Sequence, residues 1–80
     1  MQPDKPPPLP PGWELSINAS YYHWTCPDKS DSPDVYITKS DENWEIEYWV
    51  DTTSDWITVF VPLTPDPPFE LAEALYYAAQ

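Results

Sequence analysis

Beyond residue 43 the chain alternates strictly between two faces. Trp44, Ile46, Tyr48 and Val50 share one side of an extended segment, and Glu45, Glu47, Trp49 and Asp51 share the other. After a polar stretch at 51–55, Ile57, Val59, Val61 and Leu63 oppose Trp56, Thr58 and Phe60. β-Branched and aromatic residues dominate, and no Gly or Pro interrupts either run, so residues 44–61 are predicted to form two strands joined by a turn. A similar alternation sets Trp13, Leu15, Ile17, Ala19 and Tyr21 against Glu14, Ser16, Asn18, Ser20 and Tyr22. It predicts a first strand reaching toward His23 and Trp24. Residues 34–39 read as another strand, with Val35 and Ile37 inward and Tyr36 and Thr38 outward. Between these segments, 25–33 is a polar loop holding Pro27 and Pro33, and 40–43 is a tight turn.

The period changes after Pro62. Asp66 is a good N-cap residue and Pro67 suits the first helical position. Phe69, Ala72, Leu75, Tyr76 and Ala79 then fall on one helical face, flanked by Leu71 and Ala78. Glu70 and Glu73 lie in the early turns, where the helix dipole favours negative charge. The expected architecture is α+β: a four-stranded antiparallel β-meander, one C-terminal α-helix packed on one face, and a proline-rich N-terminal arm. Residues 1–11 make the arm and 12–80 the single domain.

Six of the twelve prolines stand in the first eleven residues, which predicts an extended polyproline II arm. Lys5, Pro8 and Pro11 are spaced as in an SH3 ligand, and Pro7-Pro8-Leu9-Pro10 resembles a WW ligand; proline-rich arms match such patterns cheaply. Leu9-Pro10-Pro11-Gly12-Trp13-Glu14 resembles the opening of a WW domain over those six residues. The match ends there, because Val35 stands near the place of the second family Trp.

An 80-residue chain buries only about 60% of its unfolded surface, so five Trp, six Tyr and two Phe, each able to bury roughly 150–250 Å², must carry much of the core. Cys26 is the only cysteine, which excludes an intrachain disulfide and the usual structural zinc set, and a lone thiol fits a reducing compartment. The N-terminus has no secretory pattern and no run approaches a membrane span, so a cytoplasmic location is expected. Asn18-Ala19-Ser20 is a glycosylation sequon without a signal peptide, and is read as chance. Fourteen acidic residues against three Lys and no Arg give a formal charge of −11. That field opposes direct contact with nucleic acid or anionic membrane and attracts basic partners; it also keeps a small aromatic protein soluble.

Catalytic and metal chemistry find little footing. His23 and Cys26, three apart, face opposite sides of an extended strand and are too few for a metal. Asp28, Asp31 and Asp34 lack the alternation and glycine of a calcium loop. No phosphate loop, nucleotide fingerprint or cofactor motif occurs, and no carboxylate pair has an evident cleft, so no enzyme and no cofactor is expected.

The outer sheet face remains. Glu14, Glu45, Glu47 and Asp51 are expected there with Tyr22, Tyr36, Trp49, Trp56 and Phe60. Carboxylates two apart on a strand are roughly 6.7 Å apart, of the same order as successive phosphates on a nucleic-acid strand. The candidate partner-binding set is Glu14, Tyr36, Glu45, Glu47, Trp49, Asp51, Trp56 and Phe60. It suits a non-enzymatic, acidic inhibitor that mimics nucleic acid and blocks a protein with a basic nucleic-acid-binding surface. Phage-encoded anti-CRISPR and anti-restriction proteins, acting in the host cytoplasm, are similar in size and charge, though no motif is shared. The alternative is a small adaptor or assembly subunit using the aromatic face or the proline arm. The competing structural account makes Trp49 and Trp56 a stabilising cross-strand pair, or has a homodimer or the folded-back arm cover them.

Overall fold

In the computed structural model, residues 9–18, 20–28 and 32–80 are described. The meander has five strands rather than four: β1 (Trp13–Leu15), β2 (Tyr22–Trp24), β3 (Val35–Lys39), β4 (Asn43–Val50) and β5 (Asp55–Pro62), followed by α1 (Phe69–Ala79). Every neighbouring pair is antiparallel and the spatial order is the chain order.

The extra strand arises because the predicted first strand breaks. Ser16, Asn18 and Ser20 are short side chains that compete with a β ladder for backbone groups. The Ser16 hydroxyl accepts from the amides of Ser20 (3.0 Å) and Tyr21 (3.3 Å), and the Asn18 carboxamide oxygen accepts from the Ser20 hydroxyl at 2.6 Å. The Ser16 amide closes the loop onto the Tyr21 carbonyl. The chain therefore reverses, and β1 pairs β2 with Trp13 opposite Trp24 and Leu15 opposite Tyr22. Ile17, expected inward, stands fully exposed at the loop.

The reversal also resets parity. Tyr22, expected outward, packs on the core, and Tyr21, expected inward, joins the other face through its contact with Tyr36.

α1 lies over β3 and β4. Trp13, Trp24, Val35, Ile37, Trp44 and Ile46 from the sheet, with Cys26 and with Ala72 and Tyr76 of the helix, form the core. Trp13 contacts Phe69 at 4.8 Å between ring centroids and donates its indole N–H to Glu73 at 2.7 Å, so the helix is held to the first strand by a ring contact and a charge-assisted bond. The Trp44 indole donates to the Thr64 carbonyl. At the helix end, Gln80 Nε2 donates to the Trp49 carbonyl (2.7 Å) and Gln80 Oε1 accepts the Asp51 amide (3.0 Å).

The helix starts later than expected. Pro68 disfavours the helical conformation at Pro67, so the helix cannot run from an Asp66 cap. Pro68 occupies the cap without a side-chain cap bond, and the Asp66 carbonyl accepts the Thr64 hydroxyl instead. The inward helical face matches the pattern, with Ala72 and Tyr76 buried and Phe69 and Leu75 packed against the core.

Of the proline arm, residues 1–8 lie outside the described residues, and with them Lys5, Pro7 and Pro8 of the SH3- and WW-ligand patterns. Leu9 packs on the core. The Pro10 carbonyl then accepts the Trp13 amide around Pro11 and Gly12, whose φ of +86° is the glycine requirement of a type II turn. Among the described residues no helix is long and apolar enough to cross a membrane.

Candidate functional site

The helix covers one side of the sheet, and the site is built on the other. Residues directly opposite in an antiparallel ladder share a face. Glu14, His23, Tyr36, Glu47 and Thr58 therefore form one row across all five strands. Thr38, Glu45 and Phe60 form a second, and Trp49 and Trp56 a third. The strict alternation of β4 and β5 brings Glu45, Glu47, Trp49, Trp56 and Phe60 together as expected.

Five rings make a ribbon across this face. Tyr21 meets Tyr36 edge-on at 5.6 Å, Tyr36 meets Trp56 at 5.5 Å, and Trp56 meets Trp49 at 5.4 Å. His23 lies beside Tyr21 and Tyr36 at 6.0 and 6.4 Å. Tilted and edge-to-face contacts of this kind are favourable for aromatic quadrupoles, so the ribbon holds its own shape. Tyr21 and His23 are the members that sequence reasoning missed. The clustered Ser and Asn of the loop were the signal, since a reversal there exchanges the faces of Tyr21 and Tyr22.

Carboxylates flank the ribbon. Glu14, largely exposed, approaches His23 Nε2 at 3.8 Å, and lies three strands from Glu47, roughly 14 Å at the ordinary strand spacing. Glu45 and Glu47 are half-buried between ring and Thr neighbours. Asp51 sits in the β4–β5 turn, where it accepts the Trp49 indole N–H at 2.7 Å and so fixes that ring. Phe60 is 60% exposed and Trp56 36%. Lys39 is the only lysine among the described residues; it lies on the helix side, over the Trp44 ring. All eight candidate residues thus sit on one face or its rim, with no lysine on that face among the described residues.

The other candidates for chemistry are otherwise engaged. Cys26 is buried in the core near the Tyr77 hydroxyl (3.9 Å), on the opposite side of the sheet from His23. Its thiol is the first cause, ahead of burial, of a Tyr77 pKa above the usual tyrosine value. Asp34 is buried and accepts the Cys26 amide at 3.0 Å, a loop-closing role, while Asp31 lies outside the described residues. An open cleft of about 770 Å³ beside β1, lined by Leu9, Trp13, Leu15, Ile17 and Tyr21 among others, adjoins the Glu14 end of the face. Among the described residues no group of His, Cys, Asp and Glu has a metal-holding arrangement.

No protein family, characterised protein or solved structure matches the chain.

Proposed function

We propose that the protein is a non-enzymatic inhibitor that presents the outer face of its sheet to the basic, nucleic-acid-handling surface of another protein. One observation carries the reading: a ribbon of aromatic rings and the carboxylates of Glu14, Glu45 and Glu47 share a face, with Asp51 at its rim, that bears no lysine among the described residues. A groove built for nucleic acid offers cations to phosphates and flat surfaces to bases. Here carboxylates stand in for phosphates and rings for bases. Glu45 and Glu47, roughly 6.7 Å apart along β4, give paired acceptors for Arg or Lys. Trp56 and Phe60 on the neighbouring strand offer ring faces to a guanidinium, each contact worth about 0.5–2 kcal/mol. The net charge of −11 speeds encounter with such a groove and opposes nucleic acid itself as ligand. Defence nucleases of the CRISPR and restriction kinds have grooves of this chemistry and are the partner class proposed.

The second reading, an adaptor that binds an unrelated protein, draws on the exposure of Phe60 and Trp56, which suits a hydrophobic hot spot without any need for charge. Salt separates the two. The full chain is immobilised and exposed to lysate of the native cell, and captured protein is eluted with rising salt or with added duplex DNA or RNA. The mimic reading expects release by both, and no capture by a Glu45→Lys, Glu47→Lys bait. Capture that survives high salt and excess nucleic acid would favour the adaptor.

A further inference from the structure

The edge of the sheet at β5 differs from the edge at β1. β1 is three residues long, whereas β5 runs eight residues and pairs only with β4 among the described residues. Which of its backbone groups face outward follows from the ladder. The Trp49 amide donates to the Asp34 carbonyl and the Ser40 amide to the Asn43 carbonyl, so the odd-numbered residues of β4 turn their backbone groups toward β3. In an antiparallel sheet the direction alternates, so Trp44, Ile46, Tyr48 and Val50 bond β5. Their partners Val61, Val59, Ile57 and Asp55 are thereby satisfied. Trp56, Thr58 and Phe60 aim their N–H and C=O groups away from the sheet. The Trp56 amide fits this assignment, since it is taken up by the Asp55 carboxylate at 2.8 Å rather than by a strand. Asp55 at one end and Pro62, which has no N–H, at the other bracket an open length over 56–61.

An exposed edge of this length and composition is normally blunted by an inward charge, a bulge or a central lysine. Between its brackets β5 has none: it reads Trp56-Ile57-Thr58-Val59-Phe60-Val61. Its helix-side flank is also incompletely covered, with Ile57 39% exposed and Leu63 and Leu71 exposed nearby in sequence and on the helix. Its other flank carries Trp56 and Phe60, one strand from Glu45 and Glu47.

We propose that the β5 edge receives an extended segment of a partner protein as a sixth strand, whose residues alternate between aliphatic and cationic. Backbone bonds to Thr58 and Phe60 and to the Trp56 carbonyl set its register. Its aliphatic side chains lie over Ile57, Val59 and Val61 on the helix side. Its Arg or Lys side chains lie over the rings of Trp56 and Phe60 and reach toward Glu45 and Glu47. A second copy of this chain is a poor occupant, because each carries −11, and β5 holds no cation to meet the other copy's Asp55. The cationic character of the segment rests on the function proposed above; the open edge does not.

Amide hydrogen exchange on the full chain tests this, with an acetylated hexapeptide alternating Arg and Val as probe at millimolar concentration and a Glu/Val peptide as control. In the protein alone, Thr58 and Phe60 are expected to exchange at least about tenfold faster than Val59 and Val61. The Arg/Val peptide slows Thr58 and Phe60 about tenfold or more and the Glu/Val peptide leaves them fast. Thr58→Pro removes an outward donor without touching the β4 ladder, and is expected to weaken peptide binding by about tenfold, one or two hydrogen bonds' worth. Should that variant misfold, exchange in the wild-type chain still decides. No slowing by Arg/Val, or equal slowing by Glu/Val, overturns the proposal. Slow exchange in the protein alone also overturns it: a concentration-dependent effect means a second copy, and a concentration-independent one means the chain covers its own edge. If the peptide protects the edge while Glu45→Lys, Glu47→Lys leaves partner capture intact, the edge stands and the mimic reading fails; the reverse pattern separates them the other way.

Discussion

Tyr76 offers the sharpest energetic test of the packing. It is 1% exposed, wedged between Trp24 (5.3 Å) and Tyr77 (5.5 Å), and its hydroxyl has no hydrogen-bond partner among the described residues. A buried hydroxyl without a partner costs about 1–3 kcal/mol. Tyr76→Phe keeps the ring contacts and removes that one oxygen, leaving a gap smaller than a methyl group. Stability should therefore rise by about 1–2 kcal/mol, raising Tm by about 4–8 °C per kcal/mol for a domain of this size. A pH effect accompanies it. Burial first, then the negative charge of Asp34, pushes the Tyr76 pKa from 10.0 up to about 12. The unfolded chain gives up this proton near pH 10 while the folded chain holds it to about pH 12. Across that window the unfolded state binds fewer protons, so stability falls as pH rises. The contribution is essentially intact below about pH 9.5, and about 2 kcal/mol is lost by pH 12. Tryptophan-detected urea unfolding at pH 8, 10.5 and 11.5 reads both effects, and the difference between wild type and variant isolates Tyr76 from other groups. A loss of about 1 kcal/mol or more at pH 8, or an unchanged alkaline slope, would refute the reasoning.

Other substitutions probe the frame that holds the face. Gly12→Ala places a side chain at φ +86° with its Cβ 2.8 Å from Trp24 Nε1, so urea unfolding should show a loss of about 2–3 kcal/mol. Glu73→Ala removes the acceptor of the Trp13 indole and should cost about 1.5–3 kcal/mol, with a shift in Trp13 fluorescence. Gln80→Ala releases the Trp49 carbonyl and the Asp51 amide; calorimetry should show a loss of about 1–2 kcal/mol, and the Asp51 amide should exchange faster.

What could be read from the residues depended on how local the deciding interaction was. The β4–β5 hairpin was legible because a period-2 pattern of large side chains leaves one solution for a strand with one buried face. The helical face was legible for the same reason at a period of 3.6, and its late start follows from Pro68, which keeps Pro67 out of the helical conformation and so takes the cap away from Asp66. The first strand misled. Trp13 to Tyr21 alternates in hydropathy, yet the alternating polar positions were Ser16, Asn18 and Ser20, whose hydrogen bonds to the backbone are worth more than another stretch of ladder. That single reversal added a strand, exposed Ile17, and moved Tyr21 and His23 onto the outer face. The asymmetry between the β1 and β5 edges was not legible, since it comes from the reversal at residues 16–21 that cuts β1 to three residues.

The proposed contact is a carboxylate-flanked aromatic face seated in a basic groove. Its most direct measurement is the affinity of the captured partner for the wild-type chain and for Glu45→Lys, Glu47→Lys, as a function of salt and with nucleic acid in competition. Wild-type affinity should fall at least about tenfold between about 50 and 500 mM salt, nucleic acid should compete, and the folded double variant should not bind. Affinity indifferent to salt, simultaneous binding with nucleic acid, or full binding by the charge-reversed variant would contradict it.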